Sequence, residues 1–218
     1  MKLGLIGRGK WGQVYAKTLS EMGIEFKQTG RDWDSKGVDG VIIASKAESH
    51  FMIAKSLINA RMPCLIEKPI TFSFKRSERL LEWAEEYDKS IVFVSHTRLY
   101  SNAWREFKDS LPLIHSVEMQ FGRKCKIDSK LDCGPHLISM CLDLGYDPLD
   151  AKITIKDYDL PLKVIVNGEF VFDDPPTYPT PLTVLIKEFV TAIEKGEQNI
   201  EGLKLGVKVM EYVEHGLE

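Results

Sequence analysis

Residues 3–12 read LGLIGRGKWG: an apolar run that ends at Ile6, three glycines spaced as Gly7-Arg8-Gly9-Lys10-Trp11-Gly12, and the start of an amphipathic stretch. Gly-x-Gly-x-x-Gly between a strand and a helix is the pattern of a turn that cradles a pyrophosphate. Gly7 is expected to permit the tight turn, Gly9 to let a phosphate approach the backbone, and Gly12 to let helix and strand pack closely. Lys10 and Trp11 lie on the same loop. The helix that follows starts with unbonded N–H groups and a partial positive charge, both suited to an anion. The plainer alternative is a glycine-rich strand–helix turn that holds no ligand.

Outward from this loop the chain alternates strands and helices. The first helix is expected to bury Val14, Tyr15, Leu19 and Met22 at three-to-four spacing. Residues 24–29 read as a second strand. Residues 38–44 (VDGVIIA) form a continuous apolar run, as in a strand covered on both faces. A helix with Ile53, Ala54, Leu57 and Ile58 on one side leads to strands at 64–66 and 91–95, themselves separated by a helix with Leu80, Leu81, Ala84 and Tyr87 inward. This rhythm predicts an α/β fold with a Rossmann-type, doubly wound parallel sheet, whose ligands sit at the carboxyl ends of the strands.

After about residue 98 the rhythm changes. Val117, Met119 and Phe121 alternate, as do Ile153 and Ile155, and Asn167-Gly168 marks a hairpin turn. Residues 173–181 (DDPPTYPTP) exclude regular structure, and two helices then follow: one with Leu182, Leu185, Phe189 and Ile193, the other with Leu203, Val207 and Met210. The expected organisation is a dinucleotide-binding domain over residues 1–97. A smaller α+β domain with a mainly antiparallel sheet, for substrate binding and assembly, follows over residues 98–218.

Composition narrows the function. The 218 residues are 44% hydrophobic and 28% charged, with 29 Lys and Arg against 32 Asp and Glu, a net charge of −3. That balance offers no basic excess for a nucleic-acid partner. No apolar run approaches the ~20 residues that span a bilayer, and the N-terminal run is too short for a signal peptide. Cys64, Cys125, Cys133 and Cys141 include no Cys-x-x-Cys pair. They read as small core residues of a protein from a reducing cytoplasm, with a metal site near His115 or His136 a distant second.

The second strand ends Thr29-Gly30-Arg31-Asp32. Acidic residues at this point bond the ribose 2′-hydroxyl of NAD, whereas Arg31 suits the 2′-phosphate of NADP(H). NADP(H) is therefore the preferred cofactor, and Asp32 keeps NAD(H) open.

At Glu67-Lys68-Pro69 the sequence becomes more specific. The stretch VDGVIIASKAESHFMIAKSLINARMPCLIEKPIT resembles the Gfo/Idh/MocA oxidoreductases (glucose–fructose oxidoreductase, inositol dehydrogenase and relatives). The glycine loop, LDCGPH at 131–136 and the closing FVTAIEKGEQNIEGLKLGVKVMEYVE are similar to further family segments. The resemblance implies Lys68, Asp132 and His136 as the catalytic set. It places Ser45, His50, Glu67 and Lys68 beside the cofactor and implies a cis Lys68-Pro69 bond. In that reading His136 is the general acid/base, Asp132, one helical turn before it, orients the imidazole or bonds a substrate hydroxyl, and Lys68 holds the substrate oxygen. Residues 33–37 (WDSKG) stand where the family has helix, strand and helix, so the sheet is expected to be abbreviated there. Ser139 replaces an aspartate common in the family. The implied activity is hydride transfer between nicotinamide and a sugar, polyol, sugar nucleotide or related carbonyl compound, with a homo-oligomer formed through the second domain. A non-catalytic nucleotide-sensing or scaffold protein on the same fold is the alternative.

Overall fold

The computed structural model describes residues 1–30, 32–124 and 128–216. Arg31 and Cys125 lie outside the described residues. Contacts group Met1–Ser95 with Leu185–Val207 as one unit, and His96–Val184 with Lys208–Glu218 as a second.

The first unit is built on β1 (Lys2–Ile6), β2 (Glu25–Thr29), β3 (Gly40–Ile43), β4 (Cys64–Ile66) and β5 (Val92–Val94), all parallel in the order β2-β1-β3-β4-β5. Strands β3, β4 and β5 are buried at every residue, which is why they read as unbroken apolar runs, while β2 at the edge is only partly covered. The connecting helices are α1 (Lys10–Glu21), α2 (Ala47–Asn59) and α3 (Phe74–Glu86). The described part of residues 32–39 contains neither helix nor strand, so β2 is the edge strand and the sheet is short on that side.

The amphipathic pattern needs correction in places. On α1 the buried face runs Gly12, Tyr15, Thr18 and Leu19, while Val14, a hundred degrees round from Tyr15, is 37% exposed. Met22, Leu81, Tyr87 and Ile193 are half-buried. The run 38–44 yields a strand only over Gly40–Ile43.

The second unit holds a mixed sheet of β6 (Val117–Gly122), β7 (Lys152–Lys156), β8 (Leu160–Val166) and β9 (Phe170–Phe172), in the order β7-β6-β8-β9. Two of its three pairings are antiparallel, and β6 with β7 is parallel. Asn167 and Gly168 turn between β8 and β9 with φ of 54° and 76°, the two positive angles that a tight hairpin requires. Helix α4 (Asn102–Asp109), the short α5 (Ser129–Asp132) and α6 (Gly134–Asp143) complete it. Its core joins Trp104, Met119, Leu137, Met140, Val164 and Phe172. Helices α7 (Pro181–Lys195) and α8 (Glu201–His215) close the chain. No helix among the described residues is long and apolar enough to cross a membrane.

Candidate active site

Strand register aligns the carboxyl ends of the first sheet. Ile6 pairs with both Thr29 and Ile43, Ile43 with Ile66, and Ile66 with Val94. The residues just beyond them, Gly7, Gly30, Ala44, Glu67 and Ser95, therefore form one row along the sheet edge. Backbone bonds continue into it: Ala44 N–H to Ile6 O at 2.8 Å, Glu67 N–H to Ile43 O at 2.9 Å, and Ser95 N–H to Ile66 O at 2.8 Å.

Each loop glycine has its own reason. Gly7 has φ of 135°, and a Cβ there would lie 2.2 Å from Ala44 O. A Cβ on Gly12 would meet Gly7 O at 2.4 Å, so the helix approaches the strand as closely as the pattern predicts. A Cβ on Gly9 would meet nothing within 4 Å; the space over it is open. Gln28 from β2 donates its amide to Gly7 O at 2.8 Å and holds the loop from below. That partner was not legible in the sequence.

Over the loop lies a cleft of about 750 Å³ lined by Gly7, Arg8, Gly9, Lys10, Trp11, Gly30, Trp33, Ser45, Lys46, Ser49 and Met52, among others. It sits between the ends of β1 and β3, where the chain order reverses and where open α/β sheets bind ligands. Helix α1 begins at its wall with Gly9 as N-cap, no side-chain cap bond and no acidic residue in the first turn. Its first N–H groups are thus presented to the cleft, with Arg8, Lys10 and Lys46 as cations and Glu48 as the one anion in the lining among the described residues. Trp33 comes from the segment that stands in for the missing elements and supplies apolar wall.

The other expected cofactor residues divide. Gly7, Gly9, Lys10, Trp11 and Ser45 line the cleft, and Gly12 supports it from beneath. His50 is 1% exposed, with Nδ1 2.9 Å from Pro69 O and Nε2 3.2 Å from Ser45 O. It ties the loop after β3 to the one after β4. Burial pushes its pKa down, against the pull of the two carbonyls. Glu67 is buried below the row, where Oε1 meets the Tyr15 and Ser95 hydroxyls at 2.8 and 2.7 Å and Oε2 accepts the Lys68 N–H at 3.2 Å. Lys68 follows β4 half-buried, and its bond to Pro69 is cis.

In the second unit, Asp132 ends α5 and His136 lies in the first turn of α6, both half-buried. Cys133 separates the two helices, so Asp132 and His136 do not share one helix. The His136 N–H turns to Cys133 O at 3.1 Å, a tighter three-residue bond next to Pro135, which has no N–H to give. The His136 ring stands edge-on to Phe121, centroids 5.9 Å apart, and Arg98 lies over the same Phe121 ring while pairing with Asp174. Cys64, Cys133 and Cys141 are buried, and burial pushes the Cys64 and Cys141 thiols up to about 12.

Residues 31–96 match the model of an oxidoreductase family with an NAD-binding Rossmann fold, Gfo/Idh/MocA. That segment is similar to the Gfo/Idh/MocA oxidoreductases. YceM of Salmonella typhimurium is 29% identical over 119 residues, 55% of this chain and 34% of that protein. The chain spans less than half the length of the curated relatives it matches. Among solved structures, UDP-N-acetylglucosamine 3-dehydrogenase GnnA from Acidithiobacillus ferrooxidans superposes with a TM-score of 0.80 at 17% identity, over 98% of this chain and 95% of that one. GenD2 from gentamicin A biosynthesis, solved in complex with NAD, has a TM-score of 0.75 at 15% identity, over 98% and 92%. The likeness in fold thus extends over both units, beyond the segment that matches in sequence.

The residues present suit the dinucleotide of that family. Open space over Gly9, an uncapped helix N-terminus and three cations in one cleft are what a pyrophosphate needs.

Proposed function

We propose that the protein is an NAD(P)-dependent oxidoreductase acting on a sugar, polyol, sugar nucleotide or related carbonyl compound. The observation that carries this reading is the cleft over Gly9, set on the aligned carboxyl ends of the parallel sheet and walled by the open start of α1. When bound, the nicotinamide dinucleotide supplies or accepts the hydride. The α1 N–H groups, Arg8, Lys10 and Lys46 hold its phosphates, and Trp33 and Met52 offer apolar surface to its adenosine half. Arg31 takes the 2′-phosphate, which favours NADP(H) over NAD(H). Lys68 holds the substrate oxygen against developing negative charge, and His136 gives or takes its proton, with Asp132 as its orienting partner. Residues 98–218 carry the substrate side and the contacts of a homo-oligomer.

The test is a titration of the protein with NADPH and NADH, read by the fluorescence of Trp11 and Trp33 in the cleft. Saturable quenching, tighter for NADPH, is expected. A charge-assisted contact is worth about 1.5–3 kcal/mol, so Arg31→Ala should reduce the NADPH preference by roughly ten- to a hundredfold. Absence of binding by the folded protein rejects the reading. An unchanged preference in the variant removes Arg31 from the site.

A further inference from the structure

Below the row of strand ends, three oxygens form a triangle. Tyr15 Oη lies 2.8 Å from Glu67 Oε1 and 2.9 Å from Ser95 Oγ, and Ser95 Oγ lies 2.7 Å from Glu67 Oε1. Each edge has hydrogen-bond length, and a two-centre bond on each edge needs its own proton. Tyr15 and Ser95 own one hydroxyl hydrogen apiece, which fills two edges. With an ionised carboxylate the third edge would set lone pair against lone pair. Bulk water does not reach it, because Tyr15, Ser95 and Glu67 are 0%, 1% and 5% exposed.

We propose that Glu67 is a carboxylic acid at neutral pH, its proton closing a hydrogen-bonded ring with Tyr15 and Ser95. The ring satisfies every polar atom involved: three protons serve three edges, and Oε2 accepts the N–H of Lys68. Burial is the leading influence on Glu67 and raises its pKa; the Ser95 and Tyr15 hydroxyls and the charge and N–H of Lys68 act the other way. The titratable groups that act on it are thus Tyr15 from α1 and Lys68 beside it, while Ser95 beyond β5 is polar but uncharged.

The consequence for the site rests on the oxidoreductase reading. A carboxylate at Glu67 would set a negative charge beside the Lys68 ammonium, whereas a neutral acid sets none there. Glu67 is then a positioning residue. It ties α1 and the end of β5 to the end of β4, just before Lys68, without setting a negative charge beside the lysine.

Two measurements test this. Glu67 is the only buried carboxyl group among the described residues, so an infrared carbonyl band of a protonated acid at pH 7, shifted by ¹³C-glutamate labelling, reports it in the unaltered protein. Its presence is expected, and its absence overturns the proposal. The second compares unfolding equilibria with Glu67→Gln, whose amide can donate to both hydroxyls and accept from Lys68. A carboxyl whose pKa is raised by folding stabilises the folded state fully only below its unfolded value near 4.3. Above that, the ratio of wild-type to variant unfolding constants should rise about tenfold per pH unit through pH 7. A flat ratio above about pH 5 overturns the proposal, because an ionised Glu67 releases no proton on unfolding there. Titration of the wild type with NADPH and NADH keeps the two readings apart. An acid band without cofactor binding rejects the oxidoreductase and keeps the ring; cofactor binding without the band does the reverse.

Discussion

Gly9 and Gly12 are two glycines of one motif with opposite physical demands. A methyl group on Gly12 would sit 2.4 Å from the carbonyl oxygen of Gly7, a backbone atom that cannot swing aside. Gly12→Ala should therefore lower stability by about 2 kcal/mol or more, as overpacking does, and show it in thermal unfolding. A methyl group on Gly9 meets nothing. Gly9→Ala should unfold like the wild type yet bind dinucleotide more weakly, because the added carbon occupies the space a phosphate needs. Equal stability loss in both variants would contradict this division. His136 carries the other residue-scale expectation: as general acid/base its replacement by Ala should lower turnover 10²–10⁴-fold with little change in cofactor affinity, measured by steady-state kinetics and by the same fluorescence titration. Parallel losses in both would deny it that role.

Among elements, the β8–β9 hairpin shows how a local signal is reinforced from afar. Asn167 was legible as a turn residue, since Asn-Gly tolerates two positive φ angles. Its side chain does more. Oδ1 accepts the N–H groups of His115 and Ser116 at 2.7 and 3.2 Å, and Nδ2 donates to Leu113 O at 2.9 Å, so the turn also fixes the approach to β6. Asn167→Ala removes those partners and imposes a Cβ residue without polar compensation at φ of 54°. A loss of about 2 kcal/mol is expected. For an element of a roughly 100-residue unit that corresponds to a fall in Tm of about 8–16 °C, measurable by calorimetry. What the sequence could and could not convey divides along the same line. Strands, helices and the glycine loop announce themselves through periodicity and local turn chemistry. Tyr15 looked like an apolar core residue, because nothing local shows that its hydroxyl meets Glu67 and Ser95, 52 and 80 positions away. Gln28 and Trp33 passed as edge-strand and loop residues for the same reason. Glu67 was read as a cofactor neighbour from the motif around it, and only the packing reveals that its carboxyl group is buried against Tyr15 and Ser95.

At the scale of the whole molecule, the chain returns to its beginning. Leu185–Val207 group with the first sheet and not with the segment that precedes them. The sheet is shaped to receive them: a Cβ on Gly40 would lie 2.6 Å from Ile193 Cδ1, and one on Gly202 would lie 3.2 Å from Val94 N. Asn199 extends the sheet as a single bridge beside Ile91, accepting the Val92 N–H at 2.8 Å. Phe189 packs edge-on against Phe93, with ring centroids 5.5 Å apart. Leu185, Ile186, Phe189, Ile200, Leu203 and Val207 are all buried. At about 1.5–3 kcal/mol for each buried apolar side chain, six of them contribute roughly 9–18 kcal/mol, as much as the whole net stability of a typical domain. A chain ending at residue 97 should therefore fail to fold cooperatively, although it contains all five strands and the glycine loop. Circular dichroism and thermal unfolding of that fragment, beside the full chain, would check it. A cooperative transition and cofactor binding in the fragment would mean that the sheet closes without the returning helices. Their loss would show that residues needed to hold the nucleotide cleft in shape lie almost at the opposite end of the sequence from the glycines that form it.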